Sequence, residues 1–166
     1  MNFTKTVLGA FAGSVLLAGA ANAAVLNWDQ GRGSDPGGTI VFDGSIPNLR
    51  IGPLRTPVSC TIRKGNIVKV EGGPEADMIR KVWAEMGDAS VYNIAQIAVG
   101  LNPAIYMLTG VWAQDHGAFG TVHIGIGTSA NLGGTTKAAC HFDGMMYRPT
   151  LTLDDTIVLE NGELRI

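Results

Sequence analysis

From Tyr92 onward the chain is a succession of apolar stretches punctuated by glycine: NIAQIAVG, GTVHIGIG, CHFDGMM and TLTLDDTIVLENGEL. Stretches of this kind are strand-like, and the last alternates apolar with polar residues, as a sheet with one covered face does. Upstream, Thr39–Phe42 (TIVF) reads as a short strand ended by the turn dipeptide Asp43-Gly44. Val58–Arg63 and Asn66–Glu71 flank Lys64-Gly65, a hairpin whose turn needs the glycine at positive φ. Gly72-Gly73-Pro74 breaks the sheet, and Pro74 suits the first turn of a helix. Met78, Ile79, Val82, Trp83 and Met86 follow at helical spacing with Gly87 at the end, and a second helix is expected near Gly110 to Ala118. The fold class is therefore α+β: a β-rich mixed sheet with one or two helices in a single domain.

Charge and composition exclude several classes. The 166 residues hold 12 Lys plus Arg against 14 Asp plus Glu, a formal charge of −2 that offers neither the basic surface of a nucleic-acid protein nor a polybasic membrane handle. Hydrophobic residues at 46% with 16% charged mark a chain able to fold. Lys5, the small and apolar run Val7–Ala20 and Ala21-Asn22-Ala23 have the form of a secretory signal and its cleavage site. Residues 1–23 are thus expected to be a signal peptide, 24–37 a flexible leader and 38–166 the folded domain, in a secreted or periplasmic protein with no membrane association after cleavage. Export would permit a Cys60–Cys140 disulfide, which two cysteines alone do not establish.

The chemistry concentrates on three histidines and one aspartate. If Gly120–Gly127 is a strand, Val122, Ile124 and Ile126 share one face, and His123 shares the other with Gly125 and Gly127. A face carrying one imidazole and two bare backbones lets another group approach closely. In His141-Phe142-Asp143 the imidazole and carboxylate point the same way. His123, His141 and Asp143 together make a two-imidazole, one-carboxylate set, suited to Fe(II) with open positions or Zn with one water. His116, in Gln114-Asp115-His116-Gly117, reads as a solvated loop residue. Thr128–Lys137 lacks the lysine of a phosphate loop and reads as a loop over the site.

In this order, GTIVFDGSI (38–46), VEGG (70–73), NIAQIAVGLNP (93–103), LTG (108–110), GTVHIGIG (120–127) and HFDG (141–144) resemble the C-terminal part of the aminopeptidase T-like (thermophilic metallo-aminopeptidase) family, over about Gly38 to Leu164. That superfamily also takes in the 2,5-dihydroxypyridine 5,6-dioxygenases, iron enzymes that cleave rings. The aminopeptidase branch holds two metals with two glutamates, two histidines, an aspartate and a nearby tyrosine. Carried over by motif, His123, His141 and Asp143 are the matching ligands, and Gln96 stands where a glutamate is expected. The tyrosine position falls near Ala130, the second glutamate falls in the leader, and the family's large N-terminal domain has no counterpart.

Two metals about 4 Å apart repel and need bridging carboxylates, so these departures imply a single divalent ion, Zn, Co, Mn or Fe. The leading expectation is a metallo-aminopeptidase-like hydrolase that releases N-terminal residues from peptides at this reduced site, with Gln96 orienting water or substrate. One alternative is a mononuclear Fe(II) ring-cleaving dioxygenase of the dihydroxypyridine type, taking a small molecule. Another is a truncated, non-catalytic binding or assembly module. A homo-oligomer is expected, because sheet faces that the missing domain would cover should expose apolar surface.

Overall fold

The computed structural model describes residues 6–9, 23–27, 38–153 and 156–165. Most of the expected signal segment (1–23) and leader (24–37) lies outside the described residues. The chain forms strands β1 (Thr6–Gly9), β2 (Ala23–Asn27), β3 (Gly38–Phe42), β4 (Val58–Arg63) and β5 (Asn66–Glu71), then helix α1 (Pro74–Glu85). Strand β6 (Ile94–Gly100), the short helix α2 (Trp112–Asp115), β7 (Val122–Gly127), β8 (His141–Met146), β9 (Thr150–Leu153), β10 (Thr156–Glu160) and β11 (Glu163–Leu164) complete it. The α+β class holds, with the strands divided among three sheets ordered β1-β9-β10-β11, β2-β6-β7-β8 and β3-β4-β5. Among the described residues, all strand pairings are antiparallel except β1 with β9.

Local sequence explains these elements. The β4–β5 hairpin turns at Lys64 and Gly65 with φ of 52° and 71°. Both residues are left-handed, so the lysine bears strain alongside the permissive glycine. Pro74 opens α1, where a missing N–H is harmless. Its buried stripe is Ala76, Ile79 and Trp83, with Val82 and Met86 packed at the margin. Met78, expected on that stripe, is 39% exposed, because the buried arc is set by the i, i+3, i+7 row through Ala76. The second helix is one turn long, within the expected span. Cys60 is buried, Cys140 half-buried, and both are free thiols; burial pushes Cys60 up to about 12. No helix among the described residues is long and apolar enough to cross a membrane.

The register of the central sheet divides its residues between two environments. Ile97–Ile124–Gly144 and Val99–Val122–Met146 lie side by side on one face. That face belongs to the main core, where the Trp83 ring meets Phe142 edge-on at 6.0 Å and Tyr92 at 5.6 Å. The opposite face carries Gln96–Gly125–Asp143 and Ala98–His123–Met145. Leu108 and Ala118, from the segment containing α2, pack with Met145 and roof this second face. The large apolar residues left most exposed on this side, Tyr106, Val111 and Trp112, lie on that roofing segment and not on a bare sheet face.

Gly144 sits where β8 meets β3, and a Cβ there would lie 2.3 Å from Phe42 Cε1. Gly144→Ala is predicted to lower unfolding free energy by about 1–3 kcal/mol, the usual range for overpacking a core. Urea denaturation measures this against Val68→Thr at a site 57% exposed, expected within about 0.5 kcal/mol of the parent.

Candidate metal centre

Adjacent strands bring the site together. β6 supplies Gln96, β7 supplies His123, and β8 supplies His141 and Asp143 on the roofed face. Gly125 lies between Gln96 and Asp143 in register, and a Cβ there would come within 2.8 Å of the His141 ring and 3.0 Å of Gln96 Cβ. The open face expected from the sequence therefore receives the His141 imidazole. That ring is held by Nδ1–H donating to the Thr128 carbonyl at 2.7 Å, which aims Nε2 at Asp143 Oδ1, 3.3 Å away.

The roof adds two groups. His116, at the end of α2, places Nε2 3.1 Å from Asp143 Oδ2, and the Trp112 indole N–H donates to the same oxygen at 3.2 Å. Trp112 and His116 stand one helical turn apart and their rings lie 4.4 Å from each other. His116 in turn stacks on His123, with centroids 4.3 Å apart and planes 20° from parallel. The solvated role expected for His116 is corrected: its side chain keeps 21% exposure and is turned inward onto Asp143. Asn48, from the 3-10 turn Pro47–Leu49, braces the edge of β8. Its Nδ2 donates to the His141 carbonyl and its Oδ1 accepts from the Asp143 N–H, both at 2.9 Å.

These contacts leave donor atoms without aligned partners. Asp143 Oδ1, His116 Nε2 and His123 Nδ1 are buried and make no hydrogen bond, although His116 and His141 come close to the carboxylate. Orphaned buried polar atoms are costly, so a cluster of them calls for another occupant. Ligand atoms of His116, His123 and Asp143 all lie within 4.8 Å of one another, and a divalent cation fits that donor set. Gln96 is 5% exposed and its amide meets His123 Nε2 at 2.8 Å. The contact is made by the Gln96 amide nitrogen, whose N–H donates to His123 Nε2 and fixes the orientation of the ring.

The local field matches this use. Burial is the largest influence on His123 and, with His116 nearby, lowers it to about 3, so the ring is neutral. Burial pushes the Asp143 carboxyl up, but contact with His116 and His141 and the field of His123 carry it well below the usual carboxylate range. Burial pulls His141 down, but Asp143 and the Thr128 carbonyl outweigh it and leave its net shift upward. Strand parity finds His123, His141 and Asp143, and the family resemblance singles out Gln96; His116, Trp112 and Asn48 reach the site from turns, where the helical spacing of Trp112 and His116 is the one available signal.

Comparison with known proteins distinguishes the branches of the superfamily. A family model described as 2,5-dihydroxypyridine 5,6-dioxygenase matches residues 18–166. The 2,5-dihydroxypyridine 5,6-dioxygenase of Pseudomonas putida (strain KT2440) is 29% identical over 136 residues, which is 76% of this chain and 39% of that relative. The solved structure of the Pseudomonas putida KT2440 2,5-dihydroxypyridine dioxygenase has the same fold. It superposes with a TM-score of 0.74 at 24% identity, over 86% of this chain and 43% of the other. The chain spans about two-fifths of the length of these relatives. The aminopeptidase T-like assignment, and the hydrolase and metalloprotease activity inferred from it, are corrected by these matches. Most of the motifs behind that inference lie on strands β3, β5, β6, β7 and β8, where they record the fold rather than the chemistry performed on it. The chain belongs to the 2,5-dihydroxypyridine 5,6-dioxygenase family.

Proposed function

We propose that this chain carries the mononuclear iron(II) centre of a ring-opening dioxygenase that acts on a small hydroxylated pyridine. The observation that carries the reading is the set of buried, unpartnered donor atoms on His116, His123 and Asp143. Two imidazoles and one carboxylate are the donor set of non-haem Fe(II) oxygenases, and the family match, to a 2,5-dihydroxypyridine 5,6-dioxygenase, supports ring-opening chemistry there. A ferrous ion held there would supply the dioxygen and one-electron chemistry that side chains lack.

The remaining residues have definable roles. His141 Nε2, 3.3 Å from Asp143 Oδ1, stands beside the three-donor set and would orient the carboxylate that holds the ion. Gln96 fixes the orientation of the His123 ring. His116 and His141 keep 21% and 19% side-chain exposure while Asp143 keeps 1%, so a substrate reaches the centre past these two rings. The Trp112 indole, 56% exposed beside His116, offers a flat apolar wall to a planar ring at that opening.

Purified chain loaded anaerobically with Fe(II) is predicted to take up oxygen on addition of 2,5-dihydroxypyridine, with Asp143→Asn slower by about 100-fold or more. An oxygen electrode reads this directly, and absence of uptake by the iron-loaded parent contradicts the proposal.

The field at His123 gives a second prediction, for the metal-free chain. An unfolded histidine titrates near about 6.5, whereas burial holds His123 at about 3 in the folded state. As pH falls below about 6.5 the unfolded state gains a proton that the folded state refuses, and stability falls by up to about 1.4 kcal/mol per pH unit. The raised His141 works in the opposite sense and only above about 6.5, and the depressed Asp143 loses its contribution only below about 4. Urea unfolding between about pH 6 and pH 5 should therefore show a loss that His123→Leu abolishes. An unchanged slope in that variant would contradict the buried, neutral state.

A further inference from the structure

We infer that Asp115 is a positioning residue that sets His116 and Trp112 over Asp143; the inference rests on the metal-centre reading for its consequence, not for its geometry. The Asp115 side chain is fully buried, and among the described residues its partners are hydroxyl and backbone donors rather than a cationic side chain. Its oxygens accept four hydrogen bonds. The Thr109 N–H and hydroxyl donate to Oδ1 at 2.8 and 3.0 Å, and the Gly110 N–H and Ser45 hydroxyl donate to Oδ2 at 2.8 and 2.5 Å. Hydrogen bonds to a carboxylate are among the stronger ones, and removing their acceptor leaves buried donors unsatisfied.

The partners form a closed mechanical circuit. The Ser45 carbonyl accepts from the Met145 N–H at 2.8 Å, and the Gly44 N–H donates to the Met145 carbonyl at 3.0 Å. Ser45 is thereby fastened to β8 two residues beyond Asp143. From Ser45 the link crosses to Asp115, and from Asp115 the chain runs directly into His116, with Trp112 one turn before it. Both of those side chains return to Asp143 Oδ2. Gly110 sits at φ 81° with its Cα side pressed on Gly52, where a Cβ would lie 2.3 Å from Gly52 Cα, so the loop that cradles Asp115 is itself tightly placed. The LTG and DGS segments supply no ligand, but they seat the carboxylate that sets the height of the roof above the site.

Asp115→Asn keeps the shape but turns an amide N–H toward donors. The test is a double-mutant cycle with His116→Ala, using Co(II) as the probe and equilibrium dialysis as the measure. Asp115→Asn should weaken Co(II) binding by about 10- to 100-fold, as loss of a supporting contact around a ligand does, but by less than about 2-fold when His116 is already alanine. A second measurement needs no metal: the Trp112 indole N–H, held against Asp143 in the parent, should lose its protection from solvent exchange in the nitrogen-15 spectrum of Asp115→Asn. If Asp115→Asn does not fold, Ser45→Ala removes one donor only and should show the same pattern at about 2- to 10-fold. Equal losses with and without His116, or an unchanged Trp112 signal, overturn the inference. A parent that binds no Co(II) sinks the metal centre instead, and the Trp112 measurement then decides the positioning role alone.

Discussion

A carboxylate that is 1% exposed is stable as an anion only if the surrounding fold provides compensating partners. At Asp143 those partners arrive from two directions: His141 two residues back along the same strand, and His116 with Trp112 from the roof. The imidazoles approach the carboxylate closely but not as aligned hydrogen bonds, and the compensation is therefore incomplete. Such a gathering of nitrogen and oxygen donors, several of them unsatisfied, is a donor set that a divalent cation fits.

The strands that make this possible need small residues at fixed places. Gly125 gives the His141 ring the room to lie over β7, and Gly144 gives Phe42 the room to lie over β8 from the other side. The same two strands thus carry the site on one face and the core on the other. The T-shaped packing of Trp83 on Phe142 stiffens β8 from below, so packing and donor geometry are coupled through a single strand.

Much of this is legible in the amino-acid sequence, for physical reasons that also mark where legibility ends. Period-two alternation puts His123 on the glycine face of β7 and pairs His141 with Asp143, because strand parity is nearly independent of context. The hairpin at Lys64-Gly65 and the proline start of α1 are readable from backbone restrictions alone. His116 is not, since its direction is set by a one-turn helix whose orientation depends on the Asp115 contacts with distant residues. Asn48 is hidden for the same reason: its partners in β8 lie 93 and 95 residues away. The hydrolase expectation fails because the residues that build a shared sheet say little about the chemistry performed on it. Gln96 is the informative departure. An amide there cannot bridge two ions, and in the structure it is turned onto His123.

The proposed function requires the donor atoms of His116, His123 and Asp143 to take up one ion. X-ray absorption at the iron edge of the Fe(II)-loaded chain, with metal content on the same sample, tests it most directly. The account predicts one iron per chain with a nitrogen and oxygen shell and the outer scattering of at least two imidazoles. Iron that washes away, or that stays bound with no imidazole signature, would contradict it.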